Sequence, residues 1–413
     1  MLRVAQFSVH TCPLATLGGK ETGGMNVYVR DLSRELLRRG YLIDVYTRSQ
    51  DPAIPRVSQA LGRRGRVIHV PAGPQRPYSK YQVHDHLPEF VAGVLAQVEA
   101  DGIAYDLIHS HYWLSGGVAQ ELRQRWGVPI VHMFHTLGRL KNVVAQGAEA
   151  QEPELRIRVE EAIARSADRL IAATPSEQEQ LIALYGAAAE RIRVVPPGMD
   201  PARFYPLPAD RAKDVVGLQR SRRSILFVGR IEPLKGLDTL LWAISLVKRR
   251  RPELTCGMCV PIIGGAPYRV SDNDEMARLQ ALREELGIGD VVTFLGAQDQ
   301  DALPYYYAAS EMVVMPSDYE SFGMVALEAM ACGTPVIVSD VGGLPYLVRH
   351  GWTGYRVPAR DPGALADKIV RLLTDEGLRR RMGQRAACWA EKYGWPTIAD
   401  EVEKVYRELL AAR

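Results

Sequence analysis

The stretch "VVPPGMDPARFYPLP", residues 194–208, holds five prolines and one glycine. Proline fixes φ and removes a backbone donor, so the stretch can be neither a long helix nor a central strand. On its N-terminal side, short Val/Ile-rich runs alternate with amphipathic segments. The predicted strands there are 2–8, 41–47, 66–70, 106–110, 129–134, 168–173 and 191–195. On its C-terminal side the alternation restarts, with strands expected at 224–229, 257–263, 290–295, 311–315 and 335–339. Near-continuous apolar strands separated by helices indicate parallel sheets covered on both faces. The proline-rich stretch is therefore a hinge, and the predicted fold is α/β, two tandem Rossmann-like domains with ligands at the strand C-terminal edges. Local signals agree. "NVYVRDLSRELLRRG" reads as a helix ending on Gly40, and "SEQEQLIALYG" opens with Ser176 and Glu179 in capping-box spacing.

Composition narrows the function classes. A chain of 413 residues is long enough for about two domains, and its 47% hydrophobic and 24% charged content is that of a globular protein. A net charge of +3 with both signs interspersed argues against a nucleic-acid-binding surface. No apolar run reaches the ~20 residues that span a bilayer, and "MLRVAQFSVH" reads as a first strand rather than a leader, so a cytoplasmic protein is expected. Five cysteines give no disulfide framework, and the lone Cys256-x-x-Cys259 sits in an apolar strand-like stretch without a second ligand pair.

Four stretches carry candidate chemistry. "LGGKETGGMNVYVRDL" (17–32) follows the first strand and opens a helix, where glycines can bring backbone N–H groups against an anion. It is not GxGxxG, and the next strand ends near Arg48 without the acidic residue that holds an adenosine ribose, which weakens an NAD(P)-dependent oxidoreductase. A purely structural glycine loop is the competing reading. "FVGRIEPLKG" (227–236) delivers Arg230 and Lys235 to the start of a helix, where two cations could neutralise a diphosphate leaving group without a metal; a solvated pair on a loop fits the spacing as well.

"ESFGMVALE" (320–328) places two carboxylates eight positions apart. In a continuous helix they would lie about 80° apart in azimuth and roughly 12 Å along the axis. Gly323 favours a loop followed by a helix from Met324, which puts Glu320 in the loop and Glu328 one turn into the helix. An exposed helical glutamate and a helix-dipole partner are the plain alternatives. A glycoside hydrolase would need an acid and a base about 5–10 Å apart across a sugar groove that nothing else here supplies. Finally, "HSHYWLSGG" (109–117) and "VHMFHTLGRLKN" (131–142) bring four histidines to strand ends. With no accompanying carboxylate, polar groups reaching a ligand explain them as well as a metal does. Asp272-x-Asp274 has diacid spacing, but its place before a helical run favours an N-cap and linker role.

Together, the Gly-Gly loop, "GRIEPLKG", "ESFGMVALEAMACGTPVIVSDVGG" and the tandem halves resemble the retaining GT-B glycosyltransferases of family 4, over nearly the whole chain. "GGMNVYVRDL", "HSHYWLSG", "FHTLGRLKN" and "DRLIAATPSEQEQLIALYG" are most similar to the branch of the mycothiol pathway, which moves N-acetylglucosamine from its UDP-sugar to 1D-myo-inositol 3-phosphate. The resemblance implies an acceptor domain at 1–195, a nucleotide-sugar domain at 196–388, and a helix at 389–413 crossing back to the first domain.

By position it implies that Arg230 and Lys235 hold the donor diphosphate with the Gly24 N–H, and that Glu328 binds the ribose. Glu320 would face the donor sugar, whose hydroxyls would meet the backbone N–H groups of Phe322, Gly323 and Met324. His135 would lie near the reacting centre, Asn26 would bind a cyclitol hydroxyl, and Lys80, Tyr112, Thr136 and Arg156 would hold the acceptor phosphate. The chemistry would need no cofactor or metal, only the UDP-sugar as co-substrate, and a homodimer is compatible with the family. The sequence departs from the family in the Lys–Glu insertion of "GGKETGG" and in "GRL" after "FHTL". Enzymes making sucrose phosphate and aminocyclitol glycosyltransferases are the alternative groups. Met25 stands where the former usually carry Gln.

Overall fold

A computed structural model describes residues 1–15, 23–145, 147, 150–265 and 274–411. The glycine-rich residues 17–22 and Asp272 lie outside the described residues. The chain forms two compact units. The first comprises Met1–Ala15, Gly24–Gly198 and Trp395–Arg413; the second contains Met199–Gly394.

In the first unit the strands are β1 (Arg3–Phe7), β2 (Leu42–Arg48), β3 (Val57–Gly62), β4 (Gly65–Val70), β5 (Leu107–His111), β6 (Ile130–Met133), β7 (Arg169–Ala172) and β8 (Ile192–Val194). They form one sheet in the order β3-β4-β2-β1-β5-β6-β7-β8. All neighbours are parallel except β3 and β4. The antiparallel β3 lies outside the strands expected from sequence. Its sequence VSQALG is mostly exposed, so the apolar continuity that betrays a buried strand is missing. The sheet buries Val4, Phe7, Ile43, Val45, Ile68, Ile108, Val131 and Ile171 among the helices on its faces. Full burial of each such side chain is worth about 1.5–3 kcal/mol. The last helix, Trp395–Ala411, belongs to this unit. Its Tyr406 hydroxyl lies 2.7 Å from His109 Nδ1, and Arg39 reaches Glu403 at 2.9 Å.

The second unit holds β9 (Arg223–Val228), β10 (Met258–Ile263), β11 (Val292–Gly296), β12 (Met312–Met315), β13 (Val336–Ser339) and β14 (Gly354–Val357). The sheet order is β11-β10-β9-β12-β13-β14, parallel throughout. The four-residue β14 has no flanking apolar run and was not legible. In each unit the chain winds outward from a central strand and then starts again on its other side. The switch points are β1/β5 and β9/β12, and in open α/β sheets ligands bind outside the strand C-termini at such points. Among the described residues no helix is long and apolar enough to cross a membrane.

One helix start differs from the capping box read at Ser176 and Glu179. The helix Pro175–Tyr185 is capped two residues earlier, by the Thr174 side chain accepting from the Glu177 N–H at 3.1 Å. Pro175 explains the shift: its fixed φ and missing N–H suit the first helical position. Glu177 reaches back and accepts from the Ala173 N–H at 2.6 Å.

Burial pushes the Glu177 carboxyl up to about 7 from its ordinary 4.5, with the Ala173 hydrogen bond working the other way. The folded chain thus retains a proton that the unfolded chain releases. The stability from this group is full below pH 4.5 and is lost as the pH rises through about 7. Glu177→Gln should flatten that loss, amounting to at most about 3 kcal/mol, and raise the melting temperature at pH 8 relative to wild type. Parallel melting curves for the two proteins from pH 5 to 8 would contradict it.

Candidate active site

In the second unit the switch point carries two loops. The first follows β9 and bears Arg230 and Lys235; the second follows β12 and bears Glu320 to Gly323. They are knitted together by backbone. Asp318 N–H donates to Leu234 O at 2.9 Å, and Gly236, at φ +62°, passes so near Pro316 that a Cβ there would fall 2.1 Å from the Pro316 carbonyl oxygen. This contact brings Lys235 Nζ to 2.6 Å from Glu320 Oε2, with both side chains largely buried. Arg230 pairs with Glu232 at 2.8 Å.

Gly323, at φ +103°, is the N-cap of the helix Met324–Ala331. The helix therefore starts where the Phe-Gly turn placed it, and its first N–H groups lack intrahelical acceptors. The Phe322 ring is buried and packs edge-on to Tyr393. Glu328 is buried within the helix and accepts from the Tyr307 hydroxyl at 2.7 Å. Glu320 and Glu328 thus have separate partners, a cation and a phenol.

The glycine pair Gly342-Gly343, which carries no ionisable or polar side chain to mark it in sequence, holds the Glu320 loop. Gly343 N–H donates to Glu320 O at 2.9 Å. Gly342 has φ +54°, and a Cβ on it would lie 1.8 Å from that same oxygen. Gly342→Ala must displace the Glu320 backbone; if this loop carries the chemistry, a displacement near 1 Å should cost on the order of 10- to 100-fold in kcat/KM. Steady-state kinetics on the folded variant checks this; unchanged donor constants would refute the positioning role.

In the first unit the residues following β1, β5 and β6 gather. Gly24 is the first residue of the helix Gly24–Arg38, and the Asn26 amide donates to Thr11 Oγ1 and Cys12 O, both at 2.7 Å. Tyr112 begins the helix Tyr112–Trp126 at φ +74°, and His135 sits at φ +61°. Positive φ on bulky residues costs about 1–3 kcal/mol and clusters where function demands a geometry.

The Arg156 guanidinium lies 4.9 Å from the Tyr112 ring centroid. Its Nη2 donates to Thr136 O at 3.0 Å and Thr136 Oγ1 at 3.1 Å, and its Nε to Glu160 at 2.6 Å. Lys80, on the helix Lys80–Asp85, completes a group with three residues that the sequence did not single out: Lys141, Tyr81 and Glu152. Only the through-space approach of three separate segments assembles them.

His109, His111 and His132 are buried and His135 is half-buried, with His109, His111 and His135 in ring contact. His111 Nδ1 lies 3.1 Å from His135 Nε2, and His132 Nδ1 lies 2.8 Å from Ser110 Oγ. Burial pushes His109 and His135 down to about 3, so both are neutral imidazoles at physiological pH. Among the described residues no three His, Cys, Asp or Glu side chains are arranged to hold a metal. Cys256 is exposed and Cys259 lies half-buried in β10.

Residues 23–198 match the glycosyl transferase 4-like domain, and residues 209–389 match the glycosyl transferases group 1 family. The chain is 42% identical over 412 residues to the D-inositol 3-phosphate glycosyltransferase of Corynebacterium jeikeium, covering 99% of this chain and 97% of that protein. It belongs to the GT-B glycosyltransferases of family 4.

Another member, the D-inositol 3-phosphate glycosyltransferase of Acidothermus cellulolyticus, is also 42% identical, over 100% of this chain and 91% of the relative. Among solved structures, the sucrose-phosphate synthase of Thermosynechococcus elongatus superposes with a TM-score of 0.91 at 36% identity, with both chains fully covered. The Anabaena protein HepE, solved with UDP and glucose, shares the fold at TM-score 0.78 and 22% identity, covering 99% of this chain and all of that one. In this glycosyltransferase, then, the group around Lys235 lies in the second unit and the group around Arg156 in the first. Each flanks its own sheet's switch point.

Proposed function

We propose that the chain transfers N-acetylglucosamine from UDP-N-acetylglucosamine, with retention at the anomeric carbon, to a phosphorylated cyclitol such as 1D-myo-inositol 3-phosphate. The observation that carries this reading is the convergence of Lys80, Lys141 and Arg156, beside Tyr112 and Thr136, on one position in the first unit. Three cations on a partly buried patch suit a phosphate dianion better than a neutral hydroxyl face. The names of the 42% identical relatives point the same way.

The second unit supplies the donor half. Arg230 and Lys235 neutralise the charge that develops on the departing diphosphate, so the reading assigns no metal. Glu320 orients Lys235 through their ion pair and, with the Phe322, Gly323 and Met324 N–H groups, faces the sugar. Glu328, set by Tyr307, takes the ribose. The acceptor oxygen forms its bond to the anomeric carbon as the bond to the diphosphate oxygen breaks on the same face. The acceptor's proton passes to the leaving diphosphate, so no carboxylate base is needed. His135, neutral and fixed by His111, offers a hydrogen bond rather than a charge.

A second reading, synthesis of sucrose phosphate, is favoured by the 36% identity and 0.91 TM-score to the Thermosynechococcus enzyme. A donor–acceptor matrix scored by nucleotide release separates the two. UDP-N-acetylglucosamine and UDP-glucose are each offered with inositol 3-phosphate, fructose 6-phosphate and an unphosphorylated aminocyclitol. We expect release only with UDP-N-acetylglucosamine and the inositol phosphate, and an α-linked product by proton NMR. Preference for fructose 6-phosphate would replace the first reading with the second.

A further inference from the structure

We propose that the Glu152 carboxylate is the resident counter-ion of the acceptor-phosphate site, occupying it in the absence of acceptor and requiring a dianion to displace it. The proposal rests on the phosphate reading above and adds a specificity-determining residue to it.

One carboxylate oxygen, Glu152 Oε1, receives all three cations: Arg156 Nη1 at 2.8 Å, Lys141 Nζ at 3.2 Å and Lys80 Nζ at 3.4 Å. The other, Oε2, accepts from the Tyr81 hydroxyl. A single oxygen ringed by three cations is the environment a phosphate oxygen would seek. Arg156 does not need Glu152 to be neutralised or positioned, because Glu160 and Thr136 already bind its Nε and Nη2. The Nη1 edge is what remains. Although Glu152 sits against it, the buried Nη1 makes no directed hydrogen bond. Glu152 is thus an imperfect occupant, held by charge more than by geometry.

Its backbone is pinned, which leaves the side chain as the part that would move. The Asn142 side chain donates to Glu152 O at 3.2 Å and accepts from the Glu152 N–H at 2.6 Å. Pro153 follows and begins the helix Glu154–Ser166. Displacing the carboxylate therefore needs a side-chain rotation rather than a loop movement. With Glu152 in place, three cations face two carboxylates, Glu152 and Glu160. With it rotated away they face one, leaving an excess of two positive charges, which a phosphate dianion matches and a monoanion does not. The surrounding cations hold the Glu152 carboxyl well below the usual carboxylate range against its burial, so it remains charged at any pH where phosphate is a dianion.

The test uses the full chain, with inorganic phosphate as the probe and nitrate as a monoanion of ready access. In Glu152→Gln, inorganic phosphate should inhibit about tenfold more tightly and the acceptor KM should fall comparably, with the donor KM unmoved. Nitrate, ineffective on wild type, should become an inhibitor. Asn142→Ala, which keeps the carboxylate but frees its backbone, should give an intermediate shift and guards against a folding defect in the first variant. If a folded Glu152→Gln leaves phosphate inhibition and acceptor KM unchanged, or weakens both, Glu152 is a structural counter-ion and the proposal falls. If the wild-type chain instead uses only an unphosphorylated acceptor, it is the phosphate reading itself that fails.

Discussion

Lys235→Ala is expected to lower turnover by on the order of 10²–10³-fold, the cost of removing one preorganised charge from a developing oxyanion. Lys235 has a fixed place because Gly236 turns the chain in the left-handed region and because Glu320 holds the ammonium at 2.6 Å. That ion pair is already made in the ground state, so its loss also touches the fold. A mostly buried pair whose cation is removed leaves Glu320 under-compensated, at a cost of about 1–3 kcal/mol. The variant should therefore remain folded while product formation at saturating donor collapses. Circular dichroism with single-turnover kinetics measures both. Turnover within threefold of wild type in the folded variant would remove Lys235 from the diphosphate site. Lys235→Arg should recover only part of the rate, since a guanidinium fork cannot take the place of a compact ammonium in so close a turn.

Arg156→Ala should raise the acceptor KM on the order of 10- to 100-fold and leave the donor KM nearly unchanged, because a charge-assisted phosphate contact is worth about 1.5–3 kcal/mol. Here the fold is also at stake. The Arg156 side chain is fully buried against the fully buried Glu160, and stripping one member of such a pair costs about 3–5 kcal/mol. The experiment therefore needs Glu160→Gln in the same background, which removes the stranded charge. Glutamine keeps an acceptor for the Gly138 N–H and the Tyr185 hydroxyl, which Glu160 now binds at 2.9 and 2.6 Å. The double variant should regain stability but not acceptor affinity. Recovery of both would mean that Arg156 serves the fold alone.

The large features of this chain were legible because they are periodic. Central strands such as LFV in β9 or VVM in β12 are apolar on both faces, and the prolines at 196, 197, 201, 206 and 208 leave only a hinge between the two series. Of the four edge strands, β8 and β11 were legible, whereas β3 and β14 were not, since they lack that continuity. The sites divide in the same way. Lys235 and Glu320 stand beside Gly236 and Gly323, glycines that force turns. The Glu152 cluster has no such marker, because Lys80, Lys141 and Glu152 look in sequence like ordinary solvated charges. Only Asn142 and the start of the following helix turn the carboxylate inward. The histidine spacing alone does not tell that the rings of His109, His111 and His135 pack on one another and against Tyr28.

The helix Trp395–Ala411 has one more consequence, which concerns time. Its Trp395 and Tyr406 pack against Tyr28 and His109, residues made near the beginning of the chain, while everything from Met199 to Gly394 builds the other unit. At roughly 5–20 residues per second, a ribosome needs on the order of 10–40 seconds to traverse that interval. For all of it, the face that will receive the helix stands unsealed, with Tyr28 and His109 among its groups. The first unit to be translated is thus the last to be finished, and a nascent chain arrested anywhere in the second half should expose an apolar, chaperone-accessible surface that the complete chain does not.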